Sequence, residues 1–381
     1  MKTAISKHIL FLVSWYPSEE HPTLGNFIQK HAEIASSIAS VDVLYALSSS
    51  RVQKIEVSKE TTNGFTTCIV RYPKVKNKVP FLSSLLKKKQ YLKALKYGYE
   101  TLQTNYDLIH LNVAFPAGLF AQYLKKNKHI PYVITEHWTG YLKQKNVFSK
   151  LPGIIKNAHR KIFTGADQTM VVSSFLGESL KELKLVDSFK VMPNAVNQSF
   201  FFPREDVKKT EEAVRFIHIS TFDDEHKNIS GMLKAFSQLK RKYEIHLVTE
   251  GGETEVWEYI DRAKIPRSNC IVNEKLNAKE IGEAMRNADC HVLFSNYETF
   301  SVVMAEAWSS GIPSIYSQCG GLTEINDSEL GVQIQPKDCT DLAAQLEQFK
   351  RDDYSISTIS EFGNQFSKES LTDIFHALYH E

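Results

Sequence analysis

Short runs of apolar, often β-branched residues alternate with longer amphipathic stretches along the whole chain, the pattern of repeated β-α units on a parallel sheet. In the first half the runs predict strands at His8–Ser14, Val41–Leu47, Thr66–Tyr72, Leu108–Asn112, Pro131–Thr135, Thr169–Ser173 and Lys190–Met192. The stretches between them predict helices at Asn26–Ala39, Ser83–Thr101, Ala117–Lys126, Pro152–Gly165 and Phe175–Leu183. Near-continuous apolarity within each run is what strands covered on both faces require.

The alternation breaks at Pro193-Asn194-Ala195-Val196-Asn197 and at the charged stretch Arg204–Arg215, read as an interdomain linker. It then restarts, with strands at Val214–Ser220, Ile245–Thr249, Cys270–Val272, His291–Phe294, Pro313–Tyr316 and Val332–Ile334. Helices are expected at Ile229–Lys242, Glu255–Lys264, Ala278–Asn287, Ser301–Ser310 and Leu342–Lys350. The reading is therefore α/β with two domains, 1–193 and 194–365, and a last helix within 366–381 that packs back on the first. A cleft between two such lobes is the default ligand site.

Composition narrows the function. Apolar residues make up 42% and charged residues 24%, which excludes a disordered chain. The balance of 46 Lys and Arg against 44 Asp and Glu gives no reason to expect a nucleic-acid partner. Five cysteines, none in a C-x-x-C pair, favour neither a zinc site nor a disulfide framework. No run approaches the roughly 20 apolar residues of a membrane span, so a cytoplasmic protein is expected. From Arg71 to Tyr99 there are nine Lys or Arg and no acid. A solvated basic helix end is the favoured reading of residues 71–99; peripheral contact with the inner face of a membrane is the alternative.

The segment from Ser295 to Ser314 carries most of the chemistry. It follows a strand and opens a helix near Thr299–Ser301, where unpaired N–H groups and the positive dipole end suit an anion. Glu298 stands at the mouth, and Glu306 lies about two turns further in. Val302, Val303, Met304, Ala305, Ala307 and Trp308 surround Glu306 with apolar side chains, so a buried carboxylate is expected there rather than a solvated one.

The E-x(7)-E spacing, followed by A-x-x-x-G-x-P, resembles the retaining GT-B glycosyltransferases of family 4. Gly25-Asn26-Phe27, His110-Leu-Asn112 with Pro116-Ala-Gly118, Thr135-Glu136-His137, Pro193 to Asn197, Lys227-Asn228 and Glu250-Gly251-Gly252 fall in the family's order. The resemblance implies two Rossmann-like domains facing each other across a cleft and transfer of a sugar from a nucleotide-diphosphate sugar to a saccharide or lipid-linked acceptor. It suggests cell-surface polysaccharide or glycolipid synthesis. Glu306 would bind ribose hydroxyls, and Glu298 would lie near hydroxyls of the transferred sugar. The backbone of Thr299, Phe300, Ser301 and Val302 would meet the diphosphate. Lys227 would neutralise the leaving group, and His137, preferred over His110, would sit near the sugar. Gly25 would allow close approach of phosphate or sugar, and Lys275 is placed near the base. No cofactor or active-site metal is expected: no D-x-D stands at a strand end, and a lysine and helix-start amides are available for the phosphates.

The chain departs from the family pattern at Thr221, where an arginine is usual six positions before the lysine, and at Thr299, Ser301, Ala195 and Asn197. Arg204 and His226 are the candidates to compensate for Thr221. A nucleotide-sugar epimerase on the same fold and a non-catalytic nucleotide-sugar-binding protein are the rival readings. An NAD-dependent oxidoreductase is disfavoured because no G-x-G-x-x-G follows the first strand.

Overall fold

A computed structural model describes residues 7–75, 80–204 and 213–380, with backbone alone at 80–82. The stretch 205–212, most of the expected linker, and residues 76–79 of the basic segment lie outside the described residues. The chain forms two units, Met1–Asn194 with Leu371–Glu381, and Ala195–Ser370.

The first unit is built on a sheet of β1 (His8–Val13), β2 (Ser40–Ser49), β3 (Glu56–Thr62), β4 (Phe65–Pro73), β5 (Leu108–Asn112), β6 (Tyr132–Glu136), β7 (Gln168–Val171) and β8 (Lys190–Val191). Their order is β3-β4-β2-β1-β5-β6-β7-β8. All neighbours are parallel except β3 and β4. Ile9 to Val13 and every residue of β5 and β6 are buried, because helices cover both faces of the central strands. The pattern of apolar runs does not reveal β3, whose polar residues are almost all exposed. Asn63 and Gly64, both with positive φ, turn β3 into β4, and an Asn-Gly pair supplies that two-residue hairpin. The final helix, Lys368–His380, belongs to this unit from Leu371 onward. Its buried Phe375 meets His31 edge-on at 5.5 Å, and Tyr379 Oη lies 2.7 Å from His110 Nδ1.

The second unit carries β9 (Val214–Ser220), β10 (Tyr243–Thr249), β11 (Cys270–Glu274), β12 (Cys290–Leu293), β13 (Ser314–Ser317) and β14 (Gly331–Ile334), all parallel in the order β11-β10-β9-β12-β13-β14. The strand order reverses direction at β9 and β12. The carboxyl ends of these neighbours mark the switch point of the sheet, which is where open α/β sheets place ligands. The helix after β12 runs Val302–Ser309 and is apolar nearly all round, so it is buried rather than amphipathic. Trp308, 1% exposed, fixes it by edge-on contacts with Tyr316 and Phe362. A helix at Ile356–Gly363, not expected from the sequence, packs along it. Gly363 lies so close that a Cβ there would meet Ser309 backbone at 2.6 Å.

Candidate active site

The loops after β9 and β12 are stitched together. His218 on β9 bonds Val292 O through Nδ1 and Ser220 Oγ through Nε2, both at 2.8 Å. Ser220 Oγ in turn accepts from Phe222 N at 3.2 Å, which sets the start of the turn Asp224–Lys227. From the other loop, Asn296 N donates to His226 O at 2.8 Å and Asn296 Nδ2 to Glu225 O at 2.9 Å. These bonds bring His226 and Lys227 over Glu298.

At the centre is Glu298, 5% exposed. Its Oε1 accepts from Lys227 Nζ at 2.5 Å and from Ser295 Oγ at 2.8 Å, with His226 Nε2 at 3.5 Å. The His226 ring stacks on Tyr297 with centroids 4.4 Å apart and planes 3° apart. Burial pushes the Glu298 carboxyl up, but the ammonium of Lys227 and the His226 ring outweigh it and hold the group well below the usual carboxylate range. Gly320, after β13, closes the site from behind. A Cβ there would fall 1.6 Å from Glu298 O, and Gly321 N donates to that oxygen at 3.2 Å.

The helix opens at Val302 rather than within Thr299–Ser301, so Thr299, Phe300 and Ser301 lie in the preceding loop. Ser301 has φ +70° and its hydroxyl does not cap the helix. The amides of the first turn have no intrahelical partner, and that start is the anion-favouring end. Phe300 is held by an edge-on contact with Phe366. Glu306 is buried, as its apolar surroundings in the sequence imply.

Two expected residues stand apart from this cluster. Lys275 follows edge strand β11, with β10 and β9 between that strand and β12; its side chain is exposed and its ammonium lies 3.7 Å from Glu274 Oε1. Arg204 lies 3.7 Å from Asp289 Oδ1 and donates to Arg286 O. Asp289 precedes β12, at the opposite end of the strand from Glu298, so of the two residues considered against Thr221 only His226 stands at the Glu298 cluster.

In the first unit, His137 follows β6 and is 5% exposed. Glu136, fully buried, places it: Oε1 accepts from His137 N at 2.8 Å and Trp138 N at 2.9 Å, and Oε2 from Ala114 N at 2.9 Å. The loops after β5 and β6 are thereby tied to one carboxylate. The His137 ring packs on Phe27 with centroids 4.6 Å apart. Neither ring nitrogen has a hydrogen-bond partner among the described residues. Burial, with His31 and His110 nearby, pushes the imidazole well below its usual value; the Asn194 side chain opposes that shift without meeting hydrogen-bond geometry. Gly25 has a local reason to be glycine: φ is +72°, and a Cβ would meet Trp15 C and O at 2.9 Å. Among the described residues no group of His, Cys, Asp or Glu is arranged to hold a metal ion. No described helix is long and apolar enough to cross a membrane.

Ser295 and Gly320 escape the sequence reading. Ser295 acts through a contact three residues along the loop, and Gly320 through a close approach to backbone; the Gly320-Gly321 pair is the one signal the sequence offers.

Two α/β units, with an acid, a lysine and a helix start at the carboxyl edge of the second, define a glycosyltransferase of the GT-B class. Two family models match the chain, Glycosyltransferase Family 4 over residues 40–200 and Glycosyl transferases group 1 over residues 200–369, and the chain belongs to that family. It is 23% identical over 310 residues to the N-acetyl-alpha-D-glucosaminyl L-malate synthase of Bacillus anthracis, covering 76% of this chain and 78% of that one. Its fold matches sucrose-phosphate synthase of Thermosynechococcus elongatus with a TM-score of 0.79 and 17% identity over 98% of both chains. It also matches Anabaena HepE in complex with UDP-glucose, with a TM-score of 0.65 and 15% identity over 98% of this chain and 99% of that one.

Proposed function

We propose that the chain is a retaining transferase that moves a hexosyl group from a nucleotide-diphosphate sugar to a saccharide or lipid-linked acceptor. The observation that carries this reading is the convergence of Lys227, Ser295 and His226 on Glu298 in the loop leading into the Val302–Ser309 helix. The helix start and the Lys227 ammonium meet the diphosphate. Glu298 accepts from hydroxyls of the transferred sugar, and Glu306 from the ribose, because one carboxylate can take two adjacent hydroxyls. Charge grows on the departing phosphate as the glycosidic bond breaks, so a fixed ammonium there acts mainly in the transition state. The acceptor hydroxyl attacks from the same face, giving its proton to the leaving phosphate. His137 serves as a hydrogen-bond partner for a sugar hydroxyl, its ring nitrogens having no partner among the described residues.

The complex of HepE with UDP-glucose supports a uridine donor as the first to try. Exposed Lys87, Lys88 and Lys89 beside exposed Leu85 support contact with an anionic membrane that presents a lipid-linked acceptor. Activity is expected to survive chelation, because Lys227 and the amides carry the charge stabilisation in this reading.

A thermal-shift screen of nucleotide sugars followed by a transfer assay with the stabilising donor tests the reading. Sugar transfer with retained anomeric configuration is expected. Conversion of the donor without an acceptor would replace the reading by epimerisation, and binding without any turnover by a binding protein.

A further inference from the structure

The Lys227 ammonium already has an anionic partner, and on the reading above it must take a second. The Lys227–Glu298 pair carries no net charge, so a diphosphate that attracts Lys227 draws it from a carboxylate only 5% exposed. A buried carboxylate stripped of its cation is strongly unfavourable. Ser295 Oγ stays in place at 2.8 Å but is neutral. His226 Nε2 stands 3.5 Å from the same oxygen, is buried and has no other hydrogen-bond partner among the described residues. Its ring is held by Tyr297 and its backbone by Asn296.

We propose that His226 is the standby counter-ion of Glu298: as a bound diphosphate draws Lys227 away, the His226 imidazole takes one proton from solvent and pairs with Glu298 Oε1, so diphosphate binding is coupled to proton uptake. The proposal rests on the reading of this site as a nucleotide-diphosphate site.

The other groups around the pair are unsuited to the task. His218 and His291 are fully buried, and burial pushes them down to about 4 and about 3, so they stay neutral at working pH. Burial pushes the Cys319 thiol up, out of reach of neutral titration. On its own turn His226 has Asp223, Asp224, Glu225 and Lys227. The Asp224 carboxylate is engaged by Ser230 N and Oγ at 2.8 Å. Packed against His226 from the other loop are Tyr297, Glu298 and the Asn296 amide. An imidazole is the side chain whose ordinary titration falls between pH 5 and 8.

The test is calorimetry on the full chain with the nucleotide sugar that stabilises it most, because its diphosphate is esterified at both ends and has no group of its own titrating near neutrality. Titrations at pH 7.5 in Hepes and in Tris, whose protonation enthalpies differ, read the protons taken up. The wild type is expected to take up about 0.3–1 proton per site, with affinity rising as pH falls from 8.5 to 6.5 by at most about tenfold per unit. H226Q and H226N should bind with uptake near zero and a flat pH profile, and so should E298Q, whose amide needs no counter-ion. Binding by the wild type without uptake, or with uptake unchanged in both His226 variants, overturns the proposal while leaving the donor reading intact. Failure of every nucleotide sugar to bind the wild type removes the donor reading and this proposal together.

Discussion

Lys227 Nζ lies 2.5 Å from Glu298 Oε1, although 71 positions separate the two residues. One pair thus joins the loop after β9 to the loop after β12, and it does so with side chains that are 13% and 6% exposed. Coulomb attraction at such burial is weakly screened, and the Lys227 ammonium helps hold the Glu298 carboxyl below the usual carboxylate range.

Replacing Lys227 by Ala should lower turnover by at least ~10²-fold, the order for loss of a transition-state charge stabiliser. It should also destabilise the second unit, because Glu298 keeps its burial and loses its cation. The double variant K227M/E298Q should recover thermal stability but not turnover. Full activity in K227A removes the lysine from the chemistry.

Glu306→Ala should weaken nucleotide binding by about 10–100-fold, the range of a charge-assisted hydrogen bond lost. Calorimetry with the free nucleoside diphosphate isolates this effect from the sugar. Unchanged affinity would refute the ribose role.

Gly320→Ala places a methyl group where Glu298 O now sits. The φ of +55° compounds the clash, since L side chains rarely adopt it. The loop carrying Glu298 must move, so donor affinity and melting temperature should both fall. A variant with wild-type values for both would mean that the loop yields at no cost.

Stability should fall as pH drops from 7.5 towards 5. Burial lowers His31, His159 and His218 to about 4, and His110 and His291 to about 3. Between those values and the ordinary value near 6.5, the unfolded chain binds more protons than the folded one. Each such histidine then costs up to about 1.4 kcal/mol at pH 5.5. The Glu298 carboxyl, held low in the fold, adds stability above the ordinary carboxylate value, and this is lost only at more acidic pH. Melting temperatures that stay level between pH 7.5 and 5.5 would contradict this.

Charge reversal at Lys87, Lys88 and Lys89, all exposed on the Pro80–Leu102 helix, should abolish co-sedimentation with anionic liposomes. Neutral liposomes provide the control. Unchanged sedimentation of the variant would reject the membrane contact.

Much of the fold was legible. Strands buried on both faces announce themselves as apolar runs, and the predicted strands of both halves match observed ones to within a few residues. The strand β3 was missed because an exposed edge strand needs no apolar face, although the Asn63-Gly64 pair was there to read. The helix expected at Ser301–Ser310 opens one residue later, at Val302, with Ser301 in the N-cap position but making no side-chain cap bond. Thr221 raised the question of a replacement cation, and the sequence offered Arg204 and His226 on equal terms. Geometry separates them: Asp289 holds Arg204 beyond the amino end of β12, while Asn296 and Tyr297 hold His226 at its carboxyl end.

The amino-acid sequence by itself determined the two α/β units, the buried setting of Glu306 and the family, because periodicity and local motifs are properties of neighbouring residues. Only the tertiary structure decided that Lys227, Ser295 and His226 share one oxygen of Glu298, and that Lys275 stands two strands away. Strand order and loop contacts set those distances, and residues tens of positions apart settle both only when the sheet assembles.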